Sequence, residues 1–209
     1  MQKPMSDTKL LSVLLFLCLV PVLSGSLRMV SLAIDGAASA ENVNYLANPM
    51  PIIAHVLSYM IFCVFGTFQI APVFRQRHIK LHRLMGRLLL PIGYIAAFSG
   101  IWMTLYYPPL PTNGEAVGYV RIVFGIGMML CITLGAIAIW RRDIPKHQVW
   151  MLRSYAIALG ASTQAVVAIF WFALIGQPQG VPWAIAMFIT WVFNLLVVEW
   201  YLERQRATA

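Results

Sequence analysis

The decamer KHQVWMLRSY, residues 146–155, puts a histidine at the mouth of an apolar run and an arginine about two turns further in. Histidine is the side chain best suited to ligate a metal or haem iron or to face a quinone carbonyl. This chain has four: His55, His78, His82 and His147. At about 1.5 Å per helical residue, His55 is roughly 24 Å along its helix from Ala71 and cannot share a site with the others. His82 and His147 each open an apolar run beside basic residues. A helix N-terminus with arginine neighbours favours the neutral imidazole that such ligands need. Arg83, Arg87 and Arg153 are placed to receive propionates or other anionic groups, because guanidinium forks match carboxylates. These five residues form the candidate cofactor site, for a b-type haem or a quinone. Their position at the entrance to the apolar runs, rather than deep within them, argues against haem. A two-haem electron wire is excluded, since it needs a histidine pair at each face and the far face offers His55 alone. Side chains of these types at a membrane interface also serve simply to contact lipid phosphates and set helix depth, as His78 is expected to do.

Arginine inside a bilayer needs an answer. Insertion scales put its cost near the centre at about 2.5–3.5 kcal/mol. Glu199 is the one acid within an apolar run on the same side, so it is expected to pair with Arg153 or Arg87; separate snorkelling to the interface is the alternative. Gln69, Gln164 and Asn194 are the amides within the apolar runs, and Gln164 with Asn194 would make an interhelical hydrogen bond. No acid lies near the middle of any run, which counts against a proton-coupled transporter. Cys18, Cys63 and Cys131 fall inside the runs without metal-ligand spacing, as packing thiols do. No phosphate-binding loop, zinc-protease motif or nucleophile elbow occurs.

The elements that must position these residues are helices in lipid. The chain is 60% hydrophobic and 11% charged, with a mean hydropathy of +0.77, whereas a soluble domain is about a quarter charged. Six segments have the ~20 apolar residues that a span requires: about 10–33, 51–74, 84–107, 119–140, 148–175 and 182–201. They predict an all-α, six-span bundle forming a single integral-membrane domain over 1–209. The runs lack the alternation of a lipid-facing β-barrel.

The net charge of +8 does not mark a nucleic-acid protein, because of where the charge lies. Arg75, Arg77, Lys80, Arg83 and Arg87 surround one connection, and Arg141, Arg142, Lys146 and Arg153 another. Lys3, Lys9, Arg204 and Arg206 flank the ends. Six spans put all of these on one side and leave only Arg28 and Arg121 near the other. Basic residues collect on the cytoplasmic side, so both termini are expected in the cytoplasm and the protein in the inner (plasma) membrane. A rival reading makes the first run a signal peptide cleaved near Gly36–Ala40, which would leave five spans in the same orientation.

The far connections, 34–50, 108–118 and 176–181, are short and rich in turn formers. Ser154, Ala158 and Ser162, and likewise Gly93 with Ala97 and Ala96 with Gly100, form small-residue stripes that let helices approach closely. Helices three and five are therefore expected inside the bundle, with a kink at Pro91. RHIKLH (77–82) and RDIPKH (142–147) match at Arg, Ile and His, as two related hairpins would, which would set His82 and His147 at equal depth.

His55, Gly66 to Gln69, HRLMGR at 82–87 and HQVWMLRSYA at 147–156 together resemble an uncharacterised, mainly bacterial integral-membrane family known as domain of unknown function 2306. The likeness covers about 50–170, and it implies a multi-pass bundle without assigning an activity. Many relatives carry an arginine where this chain has Gln164. Two functional classes follow from the residues. One is a redox-type protein holding b-haem or quinone at the His82, His147, Arg83, Arg87 and Arg153 cluster. The other is a protein without chemistry that binds anionic lipid headgroups or docks a membrane-protein partner there.

Overall fold

The computed structural model describes residues 7–34, 45–108, 114–177 and 179–208. The Gly36–Ala40 stretch of the signal-peptide reading and Lys3 lie outside them, as do parts of all three far connections. The chain is helical, with no strand among the described residues. In order come α1 (Asp7–Ile34), α2 (Met50–Ile70), the short α3 (Pro72–Arg77), α4 (Ile79–Tyr106), α5 (Gly114–Trp140), α6 (Ile144–Ala158), α7 (Gly160–Leu174) and α8 (Gly180–Thr208). Six helical stretches are long and apolar enough to cross a membrane, with α6 and α7 together making the fifth.

The second span is the most enclosed. In its most apolar window 39% of residues are buried, against 28% in spans three and five. The fifth span, expected inside the bundle, is buried without a break over 154–160, whereas the third is less enclosed than the second. α2 packs against α1, α4 and α6, while the fifth span reaches α1, α2, α5 and α8. The stripes mark where α2 presses in. A Cβ at Gly93 would strike the Phe62 ring, and one at Gly100 would meet His55 at 3.0 Å. Gly66 of α2 returns the arrangement, since a Cβ there would lie 2.6 Å from the Tyr155 ring of α6. Without a hydrophobic incentive between helices in lipid, such close approach supplies the dispersion contact that joins them.

One polar knot ties α1, α2 and α6 in the core. The Tyr155 hydroxyl donates to the Cys63 carbonyl at 2.8 Å and lies 2.6 Å from Thr67 Oγ1 and 3.6 Å from Cys18 Sγ. Cys18, Cys63 and Cys131 are free thiols, all buried.

α4 runs unbroken through Pro91. A separate interruption falls at Leu159, between α6 and α7, where no proline stands. Its origin is tertiary: the Trp191 indole of α8 occupies the space a Cβ at position 160 would need, so only glycine fits. The break frees carbonyls, and each must find a donor in a medium that offers no water. Asn194 Nδ2 donates to the Ala156 carbonyl at 3.2 Å, Trp191 Nε1 to Ile157 at 3.0 Å, and the Tyr59 hydroxyl to Ala158 at 2.7 Å. Three consecutive carbonyls are thus satisfied by side chains from two other helices.

Candidate functional site

At the end of the bundle that carries the basic connections, α4 and α6 open alike. Ile79 and Ile144 stand at their first positions and His82 and His147 at their fourth. The connections themselves differ. The first contains the extra helix α3, whereas the second is a tight turn in which Arg142 adopts φ 59°. Asp143 caps α6 by accepting from the Lys146 backbone N–H at 3.1 Å. The Lys146 ammonium, 2.9 Å from the other carboxylate oxygen, and that N–H hold the Asp143 carboxyl below its ordinary range.

His147 Nδ1 lies 2.8 Å from the Gly135 carbonyl of α5. A ring N–H donated to that carbonyl fixes the tautomer and leaves the Nε2 lone pair for a ligand. His82 has Arg75, His147 and Arg83 as its electrostatic neighbours, and its buried Nδ1 has no hydrogen-bond partner. One turn along α4, Gly86 lets Gln69 of α2 approach: its Oε1 would be 3.4 Å from a Cβ there. The Gln69 Nε2 is likewise buried without a partner. The structure therefore puts His82 within electrostatic reach of His147 and Gln69 beside Gly86, one turn along α4 from His82. His78 stands apart as the exposed residue between α3 and α4.

Arg153 is engaged elsewhere. Its Nε donates to Glu199 Oε1 at 2.6 Å and its Nη2 to Oε2 at 3.0 Å, a two-bond fork between α6 and α8. Its guanidinium also lies 4.7 Å from the centre of the Trp150 ring. An arginine held on both sides is not available to clamp a propionate. Arg83 and Arg87 are exposed on the bundle's flank. The hydrogen bond expected between Gln164 and Asn194 is absent. Asn194 spends its Nδ2 on the Ala156 carbonyl beside the helix break and on Thr163 Oγ1 at 3.1 Å. The Gln164 Nε2 is left buried with no partner.

The opposite end of the bundle holds a feature that reading the sequence missed. A cavity of about 470 Å³ opens between α1, α2, α4, α5 and the α6–α7 break. His55 and Gln164 line it, and so do Arg28 and Arg121, the two cations that the charge distribution left over. His55 Nδ1 lies 2.8 Å from the Ala96 carbonyl of α4, an anchor of the same kind as that of His147. The Arg28 guanidinium lies 5.3 Å from the centre of the Tyr45 ring, which also borders the cavity. Arg121 forms no hydrogen bond or ion pair among the described residues, although it is within electrostatic reach of His55 and Tyr45. The signal was present in the sequence: the two exceptions to a one-sided charge distribution sit about two turns inside their helices.

None of the curated proteins and none of the solved structures matches the chain. A family model does, over residues 52–202, a stretch that takes in every span but the first. That family's description as predicted membrane proteins, together with six apolar helices long enough to cross a bilayer, makes lipid the setting of both sites. The chain belongs to the family of predicted membrane proteins called domain of unknown function 2306.

Proposed function

We propose that this membrane protein is of the redox type and takes a quinone headgroup at the Gln69, His82 and His147 cluster, with its basic end facing the cytoplasm across the inner membrane. The observation that carries the reading is the pair of buried nitrogens without acceptors, His82 Nδ1 and Gln69 Nε2. A buried donor left unsatisfied costs about 1–3 kcal/mol, and a quinone carbonyl is an acceptor that would recover it. His147, anchored through Nδ1, offers a lone pair to a quinol hydroxyl. A b-type haem fits less well. An axial histidine ordinarily donates its second ring nitrogen to a carbonyl; His147 has that support and His82 lacks it. Arg153, committed to Glu199, is also unavailable for a propionate.

The orientation rests on the concentration of Lys and Arg at that end. The exposure of Arg83 and Arg87 favours a second reading, in which this flank contacts anionic lipid headgroups and the cluster does no chemistry. Organic extraction of protein purified in mild detergent, with an optical spectrum of the same sample, separates the cases. Quinone near one equivalent, lost in His82→Leu, is expected. A Soret band lost in His147→Ala would replace quinone with haem. A colourless, quinone-free protein stabilised by anionic lipid would leave the lipid-contact reading.

A further inference from the structure

We propose that the cavity at the far end of the bundle binds a phosphate-type anion carried on an amphiphile, with Arg121 as its principal ligand. The volume, about 470 Å³, is within the ~300–1,000 Å³ typical of ligand sites. It exceeds what a bare phosphate needs. The wall is divided: Ile101, Phe124 and Met128 supply apolar surface, and Arg28 and Arg121 supply positive charge. Arg121 keeps much of its surface uncovered while lining this space, and it makes no bond to any described residue. A planar guanidinium in that condition suits two oxygens of a phosphate.

A second observation points independently to a ligand. Gln164 is only 8% exposed, lines the same cavity, and holds an amide nitrogen without a partner. It stands in the first turns of α7, the half-helix that begins at the break, and Ala161 from the same turns also faces the cavity. His55, held by the Ala96 carbonyl, presents its other ring nitrogen as an acceptor for a hydroxyl next to the phosphate.

The shared chemistry is a phosphate; the source is either a phospholipid headgroup or the free ion. The test is a thermal-shift titration of the full-length protein in a neutral detergent with three probes: dihexanoyl phosphatidic acid, dihexanoyl phosphatidylcholine and inorganic phosphate. Phosphatidic acid is expected to stabilise the protein and phosphatidylcholine is not. Arg121→Gln and, separately, Gln164→Leu should each weaken phosphatidic acid binding by roughly tenfold or more. Arg141→Gln, a substitution on the exposed basic turn, should leave it unchanged. Stabilisation by inorganic phosphate as well would support the site and show that the headgroup alone suffices. Arg121→Gln removes a charge from a span, so without ligand it should be no less stable than the parent. Absence of any shift with both phosphate probes, or an undiminished shift in Arg121→Gln, overturns the proposal.

Discussion

At the basic end of the bundle the buried charge is answered from within: Arg153 has both carboxylate oxygens of Glu199 and the face of Trp150. At the far end Arg121 has no such answer among the described residues and borders a cavity. The histidines invert this pattern. His55 at the far end has its anchoring carbonyl, whereas His82 at the basic end has a buried ring nitrogen with none. The basic end thus leaves neutral groups unsatisfied, at His82 and Gln69, and the far end leaves a cation, Arg121, beside the amide of Gln164. Uncompensated polar groups in lipid are costly, so the difference teaches where each ligand's chemistry must be sought.

The two ends also differ in how tightly backbone geometry is enforced, and substitution of glycines breaks that comparison most forcefully. Gly160→Ala drives a methyl group into the Trp191 indole beside the cavity. A loss of about 3 kcal/mol is expected, read as a lowered unfolding midpoint in detergent. Gly86→Ala, next to the basic cluster, meets only Gln69 Oε1 at 3.4 Å and should be close to neutral. Comparable losses in the two would mean that the helix break has no special packing.

Asn194→Leu comes next. It strips the donor from the Ala156 carbonyl released by the break and should cost about 1–2 kcal/mol by the same measurement. Glu199→Gln sharpens the other side by replacing a two-bond fork with a neutral contact that is partly exposed. About 1 kcal/mol is expected; unchanged expression and thermal stability would show that Arg153 does not depend on Glu199.

The smallest effect concerns pH. Lys146 holds the Asp143 carboxyl below its unfolded value of about 3.9, so its contribution is present above that value and fades as pH falls through the folded one. The difference in unfolding midpoint between the parent and Asp143→Asn should be slight near pH 7 and shrink as the pH falls below the unfolded carboxylate value. A difference that does not shrink with acidification would place the effect in helix capping alone.

Much of the architecture was legible because lipid imposes length and apolarity on any spanning segment. The run at 119–140 became Gly114–Trp140 and that at 84–107 became Ile79–Tyr106; helices simply continue past the hydrocarbon edge. Pro72 ends α2 earlier than the apolar run suggested, because Ala71 is extended before it. The interruption at Leu159 was not legible. Its cause, Trp191, lies on another helix, and nothing local to ALGAST announces it. The cavity was missed for the same reason, since His55, Arg121 and Gln164 come from three spans and share no spacing. Orphaned nitrogens at His82 and Gln69 likewise depend on what α2 and α4 bring together. Pairing Arg153 with Glu199 was open to charge arithmetic, since few acids lie on that side. The choice between Arg153 and Arg87 required geometry.

The division of ligands between the two ends is tested most directly by one extraction experiment. Quinone and anionic phospholipid are quantified by mass spectrometry from the purified parent, His82→Leu and Arg121→Gln proteins. A crossed result is expected: His82→Leu loses quinone and keeps the phospholipid, and Arg121→Gln does the reverse. Both variants retaining both molecules, or losing both together, would contradict two separate sites.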